Sequence, residues 1–309
     1  MTRVAAVDCG TNSVRLLVAD VDPVAGTLVD LERRLEIVRL GKDVDRTGVL
    51  APDALARTVA VLREYAKLAG HHGATAVRAV ATSATRDARN RDEFVRAVVD
   101  VLGVEPEVVT GDEEAHLSFV GATRELYESG LPTPYLVVDI GGGSTEFVLG
   151  SASVDAACSV DIGCVRLTER HLRDDPPTPE QVRGAVADID AALDRVEEVV
   201  PLHRARTLVG LAGSVTTVAG IALDLPAYDP VRIHHSRIPA GDVHAVTERV
   251  LGSTHAERAA IPVMHPGRVD VIGAGALVLD RVVRRLGDVD VVVSEHDILD
   301  GIAWSLAPS

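Results

Sequence analysis

The sequence predicts an α/β protein made of two similar domains. The first observation is a segment that occurs twice: residues 4–20 read VAAVDCGTNSVRLLVAD and residues 135–150 read YLVVDIGGGSTEFVLG. Each copy has an apolar run that ends at an aspartate, a turn containing glycine, and a second apolar run, which is the pattern of two strands joined by a tight turn. The second observation is the length of 309 residues, which is enough for two domains that each have a core. The third is that strand and helix patterns alternate along the rest of the chain.

The two copies agree at their polar positions as well. Three aligned pairs are each separated by the same 131 positions: Asp8 with Asp139, Gly10 with Gly141, and Ser13 with Ser144. Two residues beyond each serine the copies differ in sign, with Arg15 in the first and Glu146 in the second. We interpret the repeat as two domains that face each other across a cleft. Arg15 makes the first turn the anion-holding side, and Glu146 makes the second the metal-and-water side.

The second turn has the features of a phosphate site. Gly141, Gly142 and Gly143 lack Cβ atoms, so their backbone N–H groups can approach an anion, and Asp139 stands beside them at the strand end. A plain glycine turn in a hairpin explains a single copy equally well. The repetition of the pattern favours the phosphate site.

The composition excludes several classes of protein. The formal net charge of −15 argues against nucleic acid as a partner, although a polyanionic substrate can still bind in a local arginine-lined cleft. No apolar stretch approaches the ~20 residues of a membrane span, and the chain begins directly with a strand pattern, so we expect neither membrane insertion nor export. Three cysteines without CxxC spacing predict neither a disulfide framework nor a zinc site. We therefore expect a cytoplasmic protein.

In the first half of the chain, helices and strands follow the repeat in alternation. A Thr-Ser-Ala-Thr-Arg segment at the end of one strand contains Thr82, Ser83 and Arg86, and Asn90 precedes the next helix. Hydroxyls and an arginine at a helix start suit an anion, although a hydroxyl cap with a solvated arginine also explains them. The predicted elements are strands at 26–40, 76–81 and 104–110, and helices at 52–69, 90–102 and 115–129.

The segment GDEEA at residues 111–115 contains three acidic residues at a helix start. Acidic residues in a first turn are favourable with the helix dipole, which explains Asp112 and Glu113 adequately. If Glu114 is turned into the cleft, the helix start keeps it ionised and able to hold or deprotonate a water.

The second half continues the alternation after the second hairpin. Gly213 and Ser214 form a third strand–glycine–hydroxyl–helix junction, which suits a phosphate or a plain helix cap. His234 and His235 are expected in a strand at the surface, since no metal-ligand partner stands at ligand spacing. The predicted elements are strands at 156–162 leading into residues 163–166, at 207–211 and at 289–294, and helices at 178–199, 268–286 and 298–306. We place the domain change near residue 124, which gives domains 1–124 and 125–309, with the terminal helix 298–309 packing back on the first domain.

Six segments together resemble one family of enzymes. DCGTNSVRL, ATSATRDARN, GDEEA, VVDIGGGSTEFVLG, GLAGSVTTVA and RVDVIGAGALVL are similar, in this order, to motifs of the Ppx/GppA phosphatases. These are exopolyphosphatases and guanosine pentaphosphate phosphohydrolases within the actin/sugar-kinase/Hsp70 superfamily. The resemblance implies two ribonuclease-H-like α/β domains with an active-site cleft between them, dependence on Mg²⁺ (or Mn²⁺), and a homodimer.

The resemblance also assigns roles to residues. It implies that Glu114 is the catalytic base and that Asp139 and Glu146 bind the metal or position the attacking water. The residue pattern itself adds Arg15, Thr82 and Ser83 to the candidates for phosphate binding. The phosphate-contacting positions that the resemblance implies are Ser13, Arg86, Asn90, Gly141, Gly142, Gly143, Ser144, Gly213 and Ser214.

The expected reaction is therefore hydrolysis of the terminal phosphoanhydride bond of inorganic polyphosphate. Longer family members have a further C-terminal HD-like helical region, and this sequence ends at Ser309 without it, so shorter polyphosphates are the expected substrates. Guanosine pentaphosphate (pppGpp) is the alternative substrate within the family. From another class, an ATP-dependent kinase shares the duplicated turn, with residues 273–275 as weak evidence for an adenine pocket. A sensor without turnover is disfavoured because Glu114, Asp139 and Glu146 are all present.

Overall fold

The computed structural model describes residues 1–307, apart from the side chain of Glu128. The chain divides into two compact units: Met1–Gly121 together with the segment that begins at Ile298, and Ala122–Asp297. Among the described residues, no helix combines the length and the apolar character that a membrane span requires.

The first unit contains a five-stranded sheet. Its strands are β1 (Thr2–Cys9), β2 (Ser13–Asp22), β3 (Thr27–Ile37), β4 (Ala76–Ala81) and β5 (Glu107–Val108). They lie in the order β3-β2-β1-β4-β5, with β1, β2 and β3 antiparallel and with β4 and β5 parallel to β1. The helices are α1 (Val44–Thr47), α2 (Pro52–His71), α3 (Ser83–Asp87), α4 (Arg91–Leu102), α5 (Gly111–Thr123) and the C-terminal helix (Ile298–Ser305).

Both faces of β1 are buried, which explains why its sequence is almost continuously apolar. Ala5 and Val7 belong to a core that includes Phe94 of α4 and other residues of α2 and β2. Val4 belongs to a second core on the other face, which the C-terminal helix completes with Ile302. Alternate residues of one strand therefore pack against helices from opposite ends of the sequence.

The second unit contains a six-stranded sheet in the order β10-β11-β9-β6-β7-β8. Its strands are β6 (Tyr135–Ile140), β7 (Thr145–Gly150), β8 (Val154–Val160), β9 (Thr207–Leu211), β10 (Arg237–Ile238) and β11 (Val291–Val293). Its helices are α6 (Cys164–Arg170), α7 (Pro179–Val199), α8 (Ala212–Ala222), α9 (Pro230–Ile233), α10 (Ala240–Gly252), α11 (His255–Ala259) and α12 (Ile272–Arg285). Three short 3₁₀ turns cover Leu126–Glu128, Leu202–Arg204 and Pro266–Arg268.

The two sheets have the same topology. In the second unit β6, β7 and β8 form the antiparallel meander, β9 runs parallel to β6, and β11 runs parallel to β9. Strands β6, β7, β8, β9 and β11 therefore correspond to β1, β2, β3, β4 and β5, respectively. Strand β10 is an additional antiparallel strand at the edge of the second sheet. The predicted fold class, α/β with two ribonuclease-H-like units, is confirmed.

Four predicted elements differ from the structure. The predicted strand around His234 is wrong, because His235 has a left-handed backbone (φ 58) and only Arg237–Ile238 pairs as β10. Residues 164–166 begin α6 instead of ending a strand. The strand predicted at 104–110 contains Pro106, which has no N–H for a ladder, and only Glu107–Val108 pairs. The helix predicted to residue 129 begins at Gly111 and ends at Thr123, followed by a 3₁₀ turn.

Candidate active site

The two predicted glycine turns close in the same way. In the first, the N–H of Gly10 donates to the carbonyl of Ser13 at 3.0 Å. In the second, the N–H of Gly141 donates to the carbonyl of Ser144, also at 3.0 Å. The repeat that is visible in the sequence is therefore a repeat of backbone geometry.

The carbonyls of the second turn are held by the start of α6. The oxygens of Gly141, Gly142 and Gly143 accept from the backbone N–H groups of residues 163–166, at 2.9 to 3.2 Å. Arg166, which is 9% exposed, adds a bond of 2.7 Å from Nε to the Gly143 oxygen. In a planar trans peptide the N–H points away from the carbonyl, so the N–H groups of Gly142, Gly143 and Ser144 are directed away from α6. That orientation presents three neighbouring donors on one side of the turn, as an anion site requires.

The carbonyls of the first turn are held by the loop after β3. The Thr11 oxygen accepts from the N–H of Gly41 at 2.8 Å, and the Asn12 oxygen accepts from the N–H groups of Val38 and Arg39 at 3.1 and 2.8 Å. By the same planarity, the N–H groups of Asn12 and of the following serine point to the opposite side. Each unit thus uses the segment after its third strand to orient its turn.

An ion pair lies beside the first turn. Asp8 and Arg15 are register partners on β1 and β2. Arg15 donates from both Nε and Nη2 to Asp8 Oδ2, at 2.9 and 2.8 Å. The Asp8 side chain is only 3% exposed, so the pair is buried on the aspartate side. The role predicted for Arg15 in phosphate binding remains a prediction, since its guanidinium already contacts Asp8.

Two carboxylates stand at the same positions beside the second turn. Asp139 and Glu146 are register partners on β6 and β7, and they are 6% and 1% exposed. Ser159 of β8, the next partner across the sheet, donates to Glu146 Oε1 at 2.7 Å. Directly opposed like charges destabilise a sheet, and a bound cation offsets that effect. Because Mg²⁺ prefers carboxylate oxygens and water, the donor set of Asp139 and Glu146 fits it, and Mn²⁺ takes the same ligands.

Glu114 and Arg86 are brought together in the first unit. Glu114, in the first turn of α5, is 8% exposed and accepts from Arg86 Nη1 at 3.1 Å. The same Arg86 nitrogen donates to the carbonyl of Val109 at 2.9 Å, which fixes its position. Glu113, one residue earlier, is exposed and contacts Arg78 at 3.3 Å. The structure therefore buries Glu114 and exposes Glu113, which are the two residues that the sequence analysis distinguished.

The hydroxyl residues after β4 are buried. Thr82 and Ser83 are 5% and 1% exposed, and Thr82 stands at the N-cap of α3. Within residues 1–307 no cap hydrogen bond is made by the Thr82 side chain, so a hydroxyl cap does not explain this threonine. Asn90 uses its amide otherwise: Oδ1 accepts from the N–H of Leu50 at 2.8 Å and Nδ2 donates to the Leu50 oxygen at 3.1 Å. In the structure Asn90 holds a loop, and its predicted phosphate contact remains a prediction.

The junction between β9 and α8 contains a cation that the sequence analysis did not include among the site residues. A Cβ at Gly213 would overlap the guanidinium of Arg268, and Arg268 Nη1 donates to Thr217 Oγ1 at 3.2 Å. Ser214 is 6% exposed and packs against Gly275 of α12. A Cβ atom at position 275 would overlap the hydroxyl of Ser214. A cation at a helix N-terminus reinforces the attraction of anions to it. Arg268 is the first residue of the motif RVDVIGAGALVL, but the motif does not indicate that its side chain reaches this junction.

Within each unit, the candidate segments lie at one edge of the sheet. Parallel strands end at the same edge, and β1 pairs Cys9 with Ala81 of β4, so the first turn and the Thr82 junction are neighbours. Val109 then bonds to Ala81, which brings the start of α5 alongside. In the second unit Asp139 pairs with Leu211, so the second turn and the Gly213 junction are neighbours.

Comparison with known proteins agrees with this arrangement. The model of the Ppx/GppA phosphatase family matches residues 17–309. The chain is 52% identical to exopolyphosphatase 2 of Mycobacterium tuberculosis, over 99% of both chains. A solved structure of an exopolyphosphatase-like protein has a TM-score of 0.94 at 44% identity and covers 98% of both chains. The Ppx/GppA enzyme of Aquifex aeolicus has a TM-score of 0.82 at 32% identity, over 98% of this chain and 99% of that chain. The chain belongs to the Ppx/GppA phosphatase family.

Proposed function

We propose that the protein is an exopolyphosphatase, which hydrolyses the terminal phosphoanhydride bond of inorganic polyphosphate and releases orthophosphate. The observation that carries the reaction type is the buried pair of Asp139 and Glu146 beside a turn whose amides are oriented for an anion. The substrate is supported by the relative from M. tuberculosis, which is named exopolyphosphatase 2. We propose short polyphosphates as the preferred chain length.

Glu114 is the general base of the proposed reaction. It orients a water for in-line attack on the terminal phosphorus and accepts its proton. Arg86 holds the carboxylate in place through its bond to Oε2, and Val109 in turn holds Arg86. Phosphoryl transfer depends mainly on positioning and charge stabilisation, so this rigid support suits the role.

Asp139 and Glu146 would hold the metal ion, with Ser159 orienting Glu146. Bound Mg²⁺ or Mn²⁺ supplies neutralisation of the charge on the bridging and leaving oxygens. Backbone N–H groups, hydroxyls and cations are the groups that we propose for binding the phosphoryl oxygens of the substrate. The proposed residues are Ser13, Arg15, Thr82, Ser83, Arg86, Asn90, Gly141, Gly142, Gly143, Ser144, Gly213 and Ser214. We add Arg268 to the proposal because its guanidinium lies against Gly213.

The second candidate is the hydrolysis of pppGpp at its 5′ end. It is supported by the match to the Ppx/GppA phosphatase family model, since the family resemblance of the sequence implies both activities. Both substrates end in a phosphoanhydride, so the same residues act on either. An ATP-dependent kinase is the third, less favoured function.

The proposed function is tested by phosphate release with Mg²⁺ from polyphosphates of defined length, with pppGpp and ATP assayed in parallel. We expect the highest kcat/KM with a short polyphosphate. A higher kcat/KM with pppGpp would select the second candidate, and transfer of the ATP γ-phosphate to an acceptor would select a kinase. Chelation with EDTA should abolish phosphate release, and added Mg²⁺ should restore it.

The assignment of the base is tested by Glu114→Gln with Glu113→Gln as the matched control. The two residues are adjacent in α5, but only Glu114 is buried against Arg86. We expect Glu114→Gln to lower kcat by about 10²- to 10⁴-fold and Glu113→Gln to leave it unchanged. Equal activity of the two variants would exclude Glu114 as the base.

We also propose that the enzyme is a cytoplasmic homodimer. Among the described residues the three cysteines form no disulfide, which suits a reducing compartment. Cell fractionation tests the location, and light scattering coupled to gel filtration tests the dimer. A purely monomeric peak at assay concentration would exclude the dimer.

A further inference from the structure

Three ligand-type side chains that the proposed reaction does not use converge in the second unit. They are Glu125 at the start of a 3₁₀ turn, His234 after α9 and His296 after β11. One donor atom from each lies within 4.8 Å of the others. The three residues are separated by more than sixty positions along the chain, so the fold alone brings them together.

The two distances from Glu125 match those of a tetrahedral metal site. Glu125 Oε2 lies 3.2 Å from His234 Nε2 and 3.4 Å from His296 Nδ1. Metal–ligand bonds of 2.0–2.1 Å at tetrahedral angles place neighbouring ligand atoms roughly 3.3 Å apart. We propose that Glu125, His234 and His296 form a binding site for a divalent transition-metal ion such as Zn²⁺, with the fourth position open to water.

The surroundings hold the two histidines in position. Ser294 Oγ donates to the carbonyl of His296 at 2.8 Å and accepts from its N–H at 3.0 Å, which fixes the turn. The ring of His235 stacks on that of His234, with centroids 3.7 Å apart, and the left-handed backbone of His235 makes this stacking possible. The His234 and His296 side chains remain 21% and 28% exposed, so an ion can enter from solvent.

One contact limits the affinity of the site. His234 Nδ1 accepts from the N–H of Glu295 at 3.1 Å, so in the neutral ring the proton resides on Nε2. When Nε2 of the neutral ring binds a metal ion, that proton must move to Nδ1, and the bond from Glu295 is lost. We therefore expect a site of moderate affinity.

The ligand types separate this site from the carboxylate pair of the proposed reaction. Imidazole nitrogens suit Zn²⁺, Ni²⁺, Cu²⁺ and Co²⁺, whereas Mg²⁺ requires mostly oxygen ligands. A large excess of Mg²⁺ should saturate Asp139 and Glu146 and leave the histidine site free for Zn²⁺. Binding is therefore measured in that excess, on full-length protein without a histidine tag.

Isothermal titration with Zn²⁺ under these conditions tests the proposal. We expect one saturable site per chain, and visible absorption bands of tetrahedral Co²⁺ when Co²⁺ replaces Zn²⁺. Loss of an outer partner of a metal ligand already costs about 10- to 100-fold in affinity, so His234→Ala and His296→Ala should each weaken binding by at least about tenfold. Glu125→Gln should do the same, and circular dichroism of each variant without metal should match that of the wild type.

The matched control is His255→Ala. The ring of His255 is exposed and contacts the carboxylate of Asp270 at 3.2 Å, so it resembles the site residues but does not belong to the three-residue cluster. This variant should bind Zn²⁺ as the wild type does. No saturable binding to the wild type below about 0.1 mM, or an equal loss of binding in His255→Ala and His234→Ala, would overturn the proposal.

Discussion

The two glycine hairpins have the same backbone and opposite chemistry. Each closes with the same N–H to carbonyl bond of 3.0 Å, and each has its carbonyls held by the segment after its third strand. At the paired positions beside the turn, the first hairpin has the ion pair of Asp8 and Arg15, whereas the second has Asp139 opposite Glu146. The fold therefore supplies the same turn twice, and each copy suits an anion. The residue paired with the aspartate differs: Arg15 neutralises Asp8, whereas Glu146 and Asp139 together suit a cation.

The largest effect is expected when the second hairpin is given the charge pattern of the first. Glu146→Arg places a guanidinium opposite Asp139, as Arg15 stands opposite Asp8. We expect phosphate release to fall about 10³-fold, or ~4 kcal/mol in transition-state free energy, since the pair no longer suits a cation. Glu146→Gln, which conserves volume at this 1% exposed position, should show a loss of similar size with an unchanged Tm. Wild-type activity in Glu146→Gln would remove Glu146 from the metal site.

The reverse change tests the stability of the first hairpin. Arg15→Gln leaves Asp8 buried without its guanidinium partner, and breaking a largely buried pair in this way lowers the free energy of unfolding by about 3 kcal/mol. Urea denaturation measures the change. Lys67→Gln, which breaks an exposed pair with Glu64 in the same unit, should cost no more than about 0.5 kcal/mol. A loss in Arg15→Gln as small as that control would show that the ion pair contributes little.

A glycine packs against each turn, Gly41 in the first unit and Gly163 in the second, and alanine substitutions at the two positions should differ in effect. A Cβ at Gly163 would overlap the backbone of Gly142 and Gly143, whereas a Cβ at Gly41 would overlap the side-chain methyl of Thr11. Overpacking of this kind costs about 1–3 kcal/mol, so Gly163→Ala should reduce phosphate release about tenfold or more and lower the Tm. Gly41→Ala should be milder and should be relieved by Thr11→Ser, which removes the methyl. Equal effects of the two alanines, with no relief by Thr11→Ser, would contradict this explanation.

The smallest effect concerns the hydroxyl of Ser159, which lies on β8 beside the second hairpin. Arg15 pairs with Leu35 on the third strand, whereas Glu146 pairs with Ser159 and accepts its hydrogen bond at 2.7 Å. Ser159→Ala removes the hydrogen bond that orients Glu146. Its loss costs about 1 kcal/mol, which corresponds to a roughly fivefold lower rate of phosphate release. In the Glu146→Gln background the same change should have little further effect, and an additive loss would place Ser159 outside this interaction.

The sequence predicted the features that depend on short spacing. The hairpins and the strand–helix junctions are patterns within a few residues, and the structure contains them. An inward orientation of Glu114 was stated only as a condition for its role, and in the structure Glu114 is buried whereas Glu113 is exposed.

Features that depend on contacts between distant segments could not be predicted. His235 is exposed as expected, but His234 meets Glu125, which lies 109 positions earlier. The amide of Asn90 is used by Leu50, 40 positions away, although the sequence suggests only a helix start. Arg268 reaches Thr217 across 51 positions. In each case the partner is chosen by the packing of the sheet and helices, which no local pattern encodes.

The position of the C-terminal helix has a consequence for synthesis of the protein. Its residues Ile298, Ile302 and Ala303 complete the core that covers one face of β1. A ribosome that has just made Gly121 must add roughly 180 further residues before that helix emerges, which takes about 10–35 s at ordinary translation rates. During that interval one face of the first sheet lacks the part of its cover that the C-terminal helix supplies, while the whole sequence of the second unit is made. The unit that is begun first is therefore completed last.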